Sequence, residues 1–195
     1  MENNNIRQLL ELAIQIQQVP APTLAETQRG NFLIGLLQAE GDSLTDIQTD
    51  PTGNVLARLP GSGQAPALII SAHMDTVFPM ETNLSIRREQ ERVYGPGLGD
   101  NSLGVAGLFG ILWALRVQNR PLPGDIWLVA NTCEEGLGDL RGMKSLVERF
   151  GGTPKAYLIL EGMALGVVSI DSGAARRKVE ALAAFREVTA PVDAK

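Results

Sequence analysis

Ala67-Leu68-Ile69-Ile70-Ser71-Ala72-His73-Met74-Asp75 is a short, nearly continuous apolar run that ends abruptly in an imidazole and a carboxylate. Runs of this kind suit strands buried on both faces, as in a parallel sheet covered by helices on each side. Two more follow, Ile126 to Ala130 and Ala156 to Leu160. Between them lie apolar residues at helical spacing: Leu103, Leu108, Ile111, Leu112 and Leu115, then Leu140, Met143, Leu146, Val147 and Phe150. The order β, α, β, α, β predicts an α/β fold built on a helix-sandwiched, largely parallel sheet.

On the N-terminal side, Ile6, Leu9, Leu10, Ala13 and Ile16 predict an amphipathic helix over residues 5–18, stopped by Pro20 and Pro22. Thr23-x-x-Glu26 reads as a capping box that opens a second helix with the apolar stripe Phe32, Leu33, Leu36 and Leu37, closed by Gly41. Leu44–Thr49 and Val55–Leu59 read as a hairpin about Asp50-Pro51-Thr52-Gly53-Asn54. The last stretch, Ser169 to Lys195, is Ala-rich and charged, with Arg176-Arg177-Lys178 and no strand after its helix-like part. The expected organisation is one α/β unit over residues 1–168 and an unassigned tail over 169–195.

Composition narrows the function classes. The 195 residues are 44% hydrophobic and 20% charged, as in a globular domain with a sizeable core. A net charge of −5 without a basic stripe argues against nucleic acid as a partner. The single cysteine cannot form an intrachain disulfide, and MENNNIRQLL lacks the basic start and apolar run of a signal peptide, so a cytoplasmic location is expected. Apolar runs such as Ala67 to Ile70 are far shorter than the roughly 20 residues that cross a bilayer, so no membrane span is expected. One histidine excludes a His-pair metal motif such as H-E-x-x-H.

In open α/β sheets ligands bind at the carboxyl ends of the strands. The first run ends in His73 and Asp75, the second in Asn131-Thr132-Cys133-Glu134-Glu135-Gly136, the third in Glu161-Gly162, and Asp100-Asn101 precedes the helix near residue 102. One imidazole and five carboxylates would therefore share one end of the sheet. Crowded carboxylates repel unless protons or a polycation compensate them, and this donor set suits zinc, with manganese or cobalt as alternatives. Each residue also has a plainer reading: a lone strand-end histidine is more often structural, Asp100 could cap the following helix, and Glu134, Glu135 and Glu161 could be solvated. His-x-Asp shifts the balance, because a carboxylate two residues on can hold the second ring nitrogen. Gly95-Pro96-Gly97-Leu98-Gly99 has neither dinucleotide nor P-loop spacing. Cys133 reads as a buried structural thiol, and Trp113 and Trp127 as core.

Ser71-Ala72-His73-Met74-Asp75-Thr76-Val77, Gly95-Pro96-Gly97-Leu98-Gly99-Asp100-Asn101, Thr132-Cys133-Glu134-Glu135-Gly136 and Glu161-Gly162 resemble, in order and spacing, the di-zinc peptidases of family M20. That family includes aminoacylase, glutamate carboxypeptidase, acetylornithine deacetylase and peptidase T. The resemblance implies that His73 and Glu161 bind one zinc ion, that Asp100 bridges both, that Glu135 binds the second and that Asp75 orients His73. It implies Glu134 as the general base and acid, and a small peptide or an N-acyl amino acid as substrate. Family members carry a second metal-binding histidine and a lid or dimerisation domain with a further histidine; this sequence has neither histidine, and Gly173, Arg176, Arg177 and Val179 resemble only the entry into that lid. The expectation is a truncated catalytic portion with impaired activity, a metal-binding remnant, or half of an enzyme completed by a complementing C-terminal chain.

Overall fold

The three apolar runs form adjacent strands. The computed structural model describes residues 2–90 and 92–162. Helices α1 (Glu2–Gln17) and α2 (Thr27–Ala39) lead into β1 (Thr45–Thr49), β2 (Val55–Leu59) and β3 (Leu68–His73). Then come β4 (Arg87–Glu89), β5 (Arg92–Tyr94), α3 (Leu103–Gln118), β6 (Ile126–Asn131), α4 (Arg141–Phe150) and β7 (Ala156–Ile159). In the main sheet the order is β1-β2-β6-β3-β7, and β4-β5 is a separate hairpin. β3 pairs in parallel with both β6 and β7, placing Leu68 opposite Ile126 and Ala156. β2 is antiparallel to β1 and β6, so it alone opposes the common strand direction.

Alternate side chains of a strand face opposite ways, and the two faces of this sheet carry separate cores. Val55, Ala57, Ile70, Ala72, Leu128 and Ala130 face Leu12, Ala13 and Ile16 of α1, Leu33 and Leu37 of α2, and Val105, Leu108, Phe109 and Leu112 of α3. Leu56, Ile69 and Val129 face the other way, against Leu146 of α4, with Trp127, Met143, Phe150 and Tyr157 packed around them. The helix-sandwiched arrangement is thus present, and both tryptophans pack against a core. Leu98–Gln118 is long and apolar enough to cross a membrane by length and composition, which the reading of short apolar runs did not bring out. Half of its most apolar stretch is buried within the protein, as befits a core helix.

Two expectations need correction. β7 was expected to be buried on both faces, yet among the described residues it is the edge strand, and Leu158 and Ile159 are 46% and 57% exposed. The capping box is also absent: α2 begins at Thr27, and Glu26 at its N-cap makes no side-chain capping bond. Thr23 Oγ1 instead donates to Asp75 Oδ2 at 2.8 Å, and Glu26 Oε1 accepts from the backbone N–H groups of Leu24 and Cys133, each at 3.0 Å. Asp75 and Cys133, both distant in sequence, have drawn these side chains away from the helix start, with the nearby Leu24 N–H sharing Glu26.

The hairpin turn forms for a local reason. Asp50 Oδ1 accepts from the N–H groups of Thr52, Gly53 and Asn54 at 2.9, 2.9 and 3.0 Å, while Gly53 takes a φ of +110° that a side chain would oppose. The tail 169–195, with Gly173, Arg176, Arg177 and Val179, lies outside the described residues, as does the expected boundary at residue 168.

Candidate metal centre

His73 closes β3 opposite Asn131, the last residue of β6, so the loops after both strands leave from one edge. Its ring is buried, with Nδ1 3.1 Å from the Asp75 main-chain oxygen and 3.5 Å from Asp75 Oδ1. A carbonyl oxygen only accepts, so Nδ1 carries a hydrogen and Nε2 is left facing the other way. Nε2 lies 3.0 Å from Asp100 Oδ1 and 3.6 Å from Glu161 Oε2. Asp100 comes from the turn Leu98–Ser102 that leads into α3, where the Asp100–Asn101 peptide is cis, and Glu161 follows β7. One ligand atom from each of His73, Asp100 and Glu161 falls within 4.8 Å of the others.

Burial by itself would push the His73 pKa down, but acceptor contacts to Asp75 and Glu161 and their negative charges outweigh it and push the ring up to about 10. The pocket therefore stabilises positive charge at Nε2. A buried imidazole under two half-exposed carboxylates, with the second ring nitrogen held, fits a borderline divalent cation in place of that proton.

Asp75 is fully buried and does more than the sequence suggested. Oδ1 accepts from the Glu134 N–H and Oδ2 from the Glu135 N–H, both at 3.0 Å, so one carboxylate holds the His73 side and the loop after β6 together. Burial would raise its pKa; contacts with His73, the two N–H groups and Thr23 hold it below the usual carboxylate range. Burial raises the Glu134 pKa, against the His73 charge and a 3.2 Å bond from Asn131 Nδ2 to Glu134 Oε2. The Glu135 carboxyl is also raised, by burial and by the charge of Asp100. Among the described residues, the three-ligand cluster unites His73, Asp100 and Glu161, with Asp75 behind the ring; Glu135 stands outside it. The Cys133 thiol is buried, and that burial raises its pKa.

Sequence reasoning missed Arg29. It is 1% exposed, and its guanidinium donates to the main-chain oxygens of Val19 (Nε, 2.8 Å), Met74 (2.7 Å) and Gln17 (3.5 Å). Burial lowers its pKa to about 10, opposed by the Asp75 charge. By holding Met74 it braces the residue between His73 and Asp75. An arginine near a helix start ordinarily reads as solvated, so no signal in the sequence marks it.

A sequence model described as peptidase family M20/M25/M40 matches residues 69–190, well over half the chain. The chain belongs to peptidase family M20/M25/M40. All six site residues inferred from the motif resemblance lie within the M20 match, which continues past residue 168. Among solved structures, the chain is similar to an aminopeptidase PepT from Bacillus cereus, with a TM-score of 0.65 and 25% identity over 80% of this chain and 43% of that one. It is also similar in fold to the YXEP protein of Bacillus subtilis, a dinuclear metal-binding M20 peptidase, with a TM-score of 0.54 and 14% identity over 82% of this chain and 43% of that one. Separately, 31 residues, 16% of the chain, are 77% identical to 9% of an anthranilate phosphoribosyltransferase of Solibacter usitatus. The chain thus spans less than half the length of these M20 structures, and a small part of that transferase.

Proposed function

We propose that these residues form part of the catalytic face of a zinc-dependent peptidase or amidohydrolase that cleaves a small peptide or an N-acyl amino acid. The observation that carries this reading is His73 Nε2 turned toward Asp100 and Glu161 while Asp75 occupies Nδ1. His73, Asp100 and Glu161 would hold one ion. A bound divalent ion supplies Lewis-acid polarisation of a carbonyl and lowers the pKa of water. Glu134, whose pKa burial raises above the usual carboxylate value, takes the proton from the attacking water and returns it to the leaving amine, so that water and amide give acid and amine. Asp75 holds the Glu134 backbone in place for both transfers.

For a second ion, Asp100 and Glu135 provide two carboxylates and the chain has no second histidine to complete them. Further residues or a complementing chain would have to supply that imidazole. The 195 residues alone are therefore expected to hydrolyse dipeptides and N-acyl amino acids weakly or not at all. The test is a substrate panel run on the zinc-loaded chain with and without a C-terminal family segment. Turnover that appears on complementation and vanishes in Glu134→Gln, with zinc affinity retained, supports the proposal. Robust hydrolysis by the chain alone overturns the need for complementation, and hydrolysis indifferent to Glu134→Gln overturns the assigned base.

A further inference from the structure

The ligand candidates come from separate segments, and the sheet fixes them unequally. β3 carries His73 directly, but its pairing with β7 ends at Ser71 opposite Ile159, and the last main-chain bond there runs from Leu160 N–H to Ser71 oxygen at 2.7 Å. Glu161 lies beyond that ladder. What holds it is Asn101, next to Asp100 and fully buried. Its Nδ2 donates to the Leu160 oxygen at 3.0 Å, and its Oδ1 accepts from the Gly162 N–H at 2.9 Å and from the Gly104 N–H in the first turn of α3 at 3.0 Å. A single side-chain amide thus grips the peptide groups on both sides of Glu161 and ties them to the helix that follows Asp100.

The surroundings leave no slack for another arrangement. A Cβ on Gly104 would stand 2.0 Å from Asn101 Oδ1, and one on Gly162 would stand 2.3 Å from the Gly99 oxygen. The two loops therefore meet backbone to backbone, with the Asn101 amide as their polar link. We propose that Asn101 is a positioning residue of the metal centre: without touching the ion, it sets the Glu161 carboxylate against Asp100 and His73. This rests on the reading of His73, Asp100 and Glu161 as metal ligands. Capping alone would need only the bond to Gly104, which many side chains can make; the bonds to Leu160 and Gly162 are what a cap does not require.

Asn101→Ser separates the two roles, because a serine hydroxyl can cap α3 but is too short to reach both Leu160 and Gly162. Cobalt(II) is titrated into metal-free protein, following both affinity and the visible absorption of the bound ion. The substitutions are Asn101→Ser, Glu161→Ala, the double variant, His73→Ala and Gly162→Ala, each checked for folding by circular dichroism. Asn101→Ser is expected to weaken cobalt binding about 10–100-fold and to alter the visible spectrum. The same substitution made on Glu161→Ala should weaken binding little further, since its effect passes through Glu161. Gly162→Ala, which keeps Asn101 but forces Gly162 from Gly99, should weaken binding in the same direction and serves should Asn101→Ser not fold. Unchanged affinity in both Asn101→Ser and Gly162→Ala, or an equal loss with Glu161 already removed, overturns the positioning role while His73→Ala still abolishes binding. If His73→Ala binds cobalt as wild type does, the metal centre itself is refuted and this inference falls with it.

Discussion

Replacing Arg29 by methionine removes a buried guanidinium while keeping an unbranched apolar stem of similar reach. Two of its bonds are short, 2.8 Å to the Val19 oxygen and 2.7 Å to the Met74 oxygen, whereas the 3.5 Å contact to Gln17 is at the limit of a hydrogen bond and contributes little. Hydrogen bonds to a charged donor are worth roughly 1.5–3 kcal/mol each, so the two give about 3–6 kcal/mol. Burial of the guanidinium, which lowers its pKa to about 10, offsets part of this and favours the lower end. A loss of about 3 kcal/mol is expected, or roughly 6–12 °C in melting temperature for a chain of this size. Arg29→Lys should fall between the two, since an ammonium lacks the planar fork that meets several carbonyls at once. Urea unfolding of the metal-free protein measures the difference. A methionine variant within about 0.5 kcal/mol of wild type would refute the view that Arg29 braces the strand end behind the site.

Three further outcomes are expected. The folded His73 pKa of about 10 lies above its ordinary value near 6.5, so the stability it contributes is complete below about pH 6.5 and is lost as pH rises through about 10. The melting temperature of metal-free protein should therefore fall over that window, less so in His73→Gln; equal slopes would contradict the assignment. Zinc binding at Nε2 displaces a proton, so apparent affinity should rise with pH over the same range, and a pH-independent affinity would count against His73 as a ligand. Gly142 sits where a Cβ would approach the Thr132 oxygen to 2.2 Å and Asn54 Oδ1 to 2.4 Å, so Gly142→Ala should cost about 1–3 kcal/mol, and wild-type melting would show that this contact yields easily.

Where local chemistry decides the structure, the sequence was legible. Ile69, Ile70, Leu128 and Val129 announce strands covered on both faces, and Asp50 with Gly53 announces the turn between β1 and β2. The convergence of His73, Asp100 and Glu161 followed from their places at strand and helix ends. Long-range competition hid the rest. Thr23 and Glu26 have the spacing of a cap, yet one serves Asp75 and the other Cys133. Arg29 has the appearance of a solvent-facing helix residue, and only the fold brings Val19 and Met74 around it. β4 and β5, with Arg87, Arg88, Glu89 and Arg92 among their six residues, show no apolar alternation by which to recognise a hairpin. Leu158 and Ile159 look like the buried pairs of β3 and β6, since edge position depends on strand order rather than on composition.

Whether His73, Asp100 and Glu161 hold a divalent ion is decided by calorimetric titration of zinc into metal-free wild type, His73→Ala and Asp100→Ala. One tightly held ion per wild-type chain is expected, with a second bound far more weakly and loss of tight binding in both variants. Equal, weak binding in all three proteins, or two equally tight ions in the wild type, would contradict it.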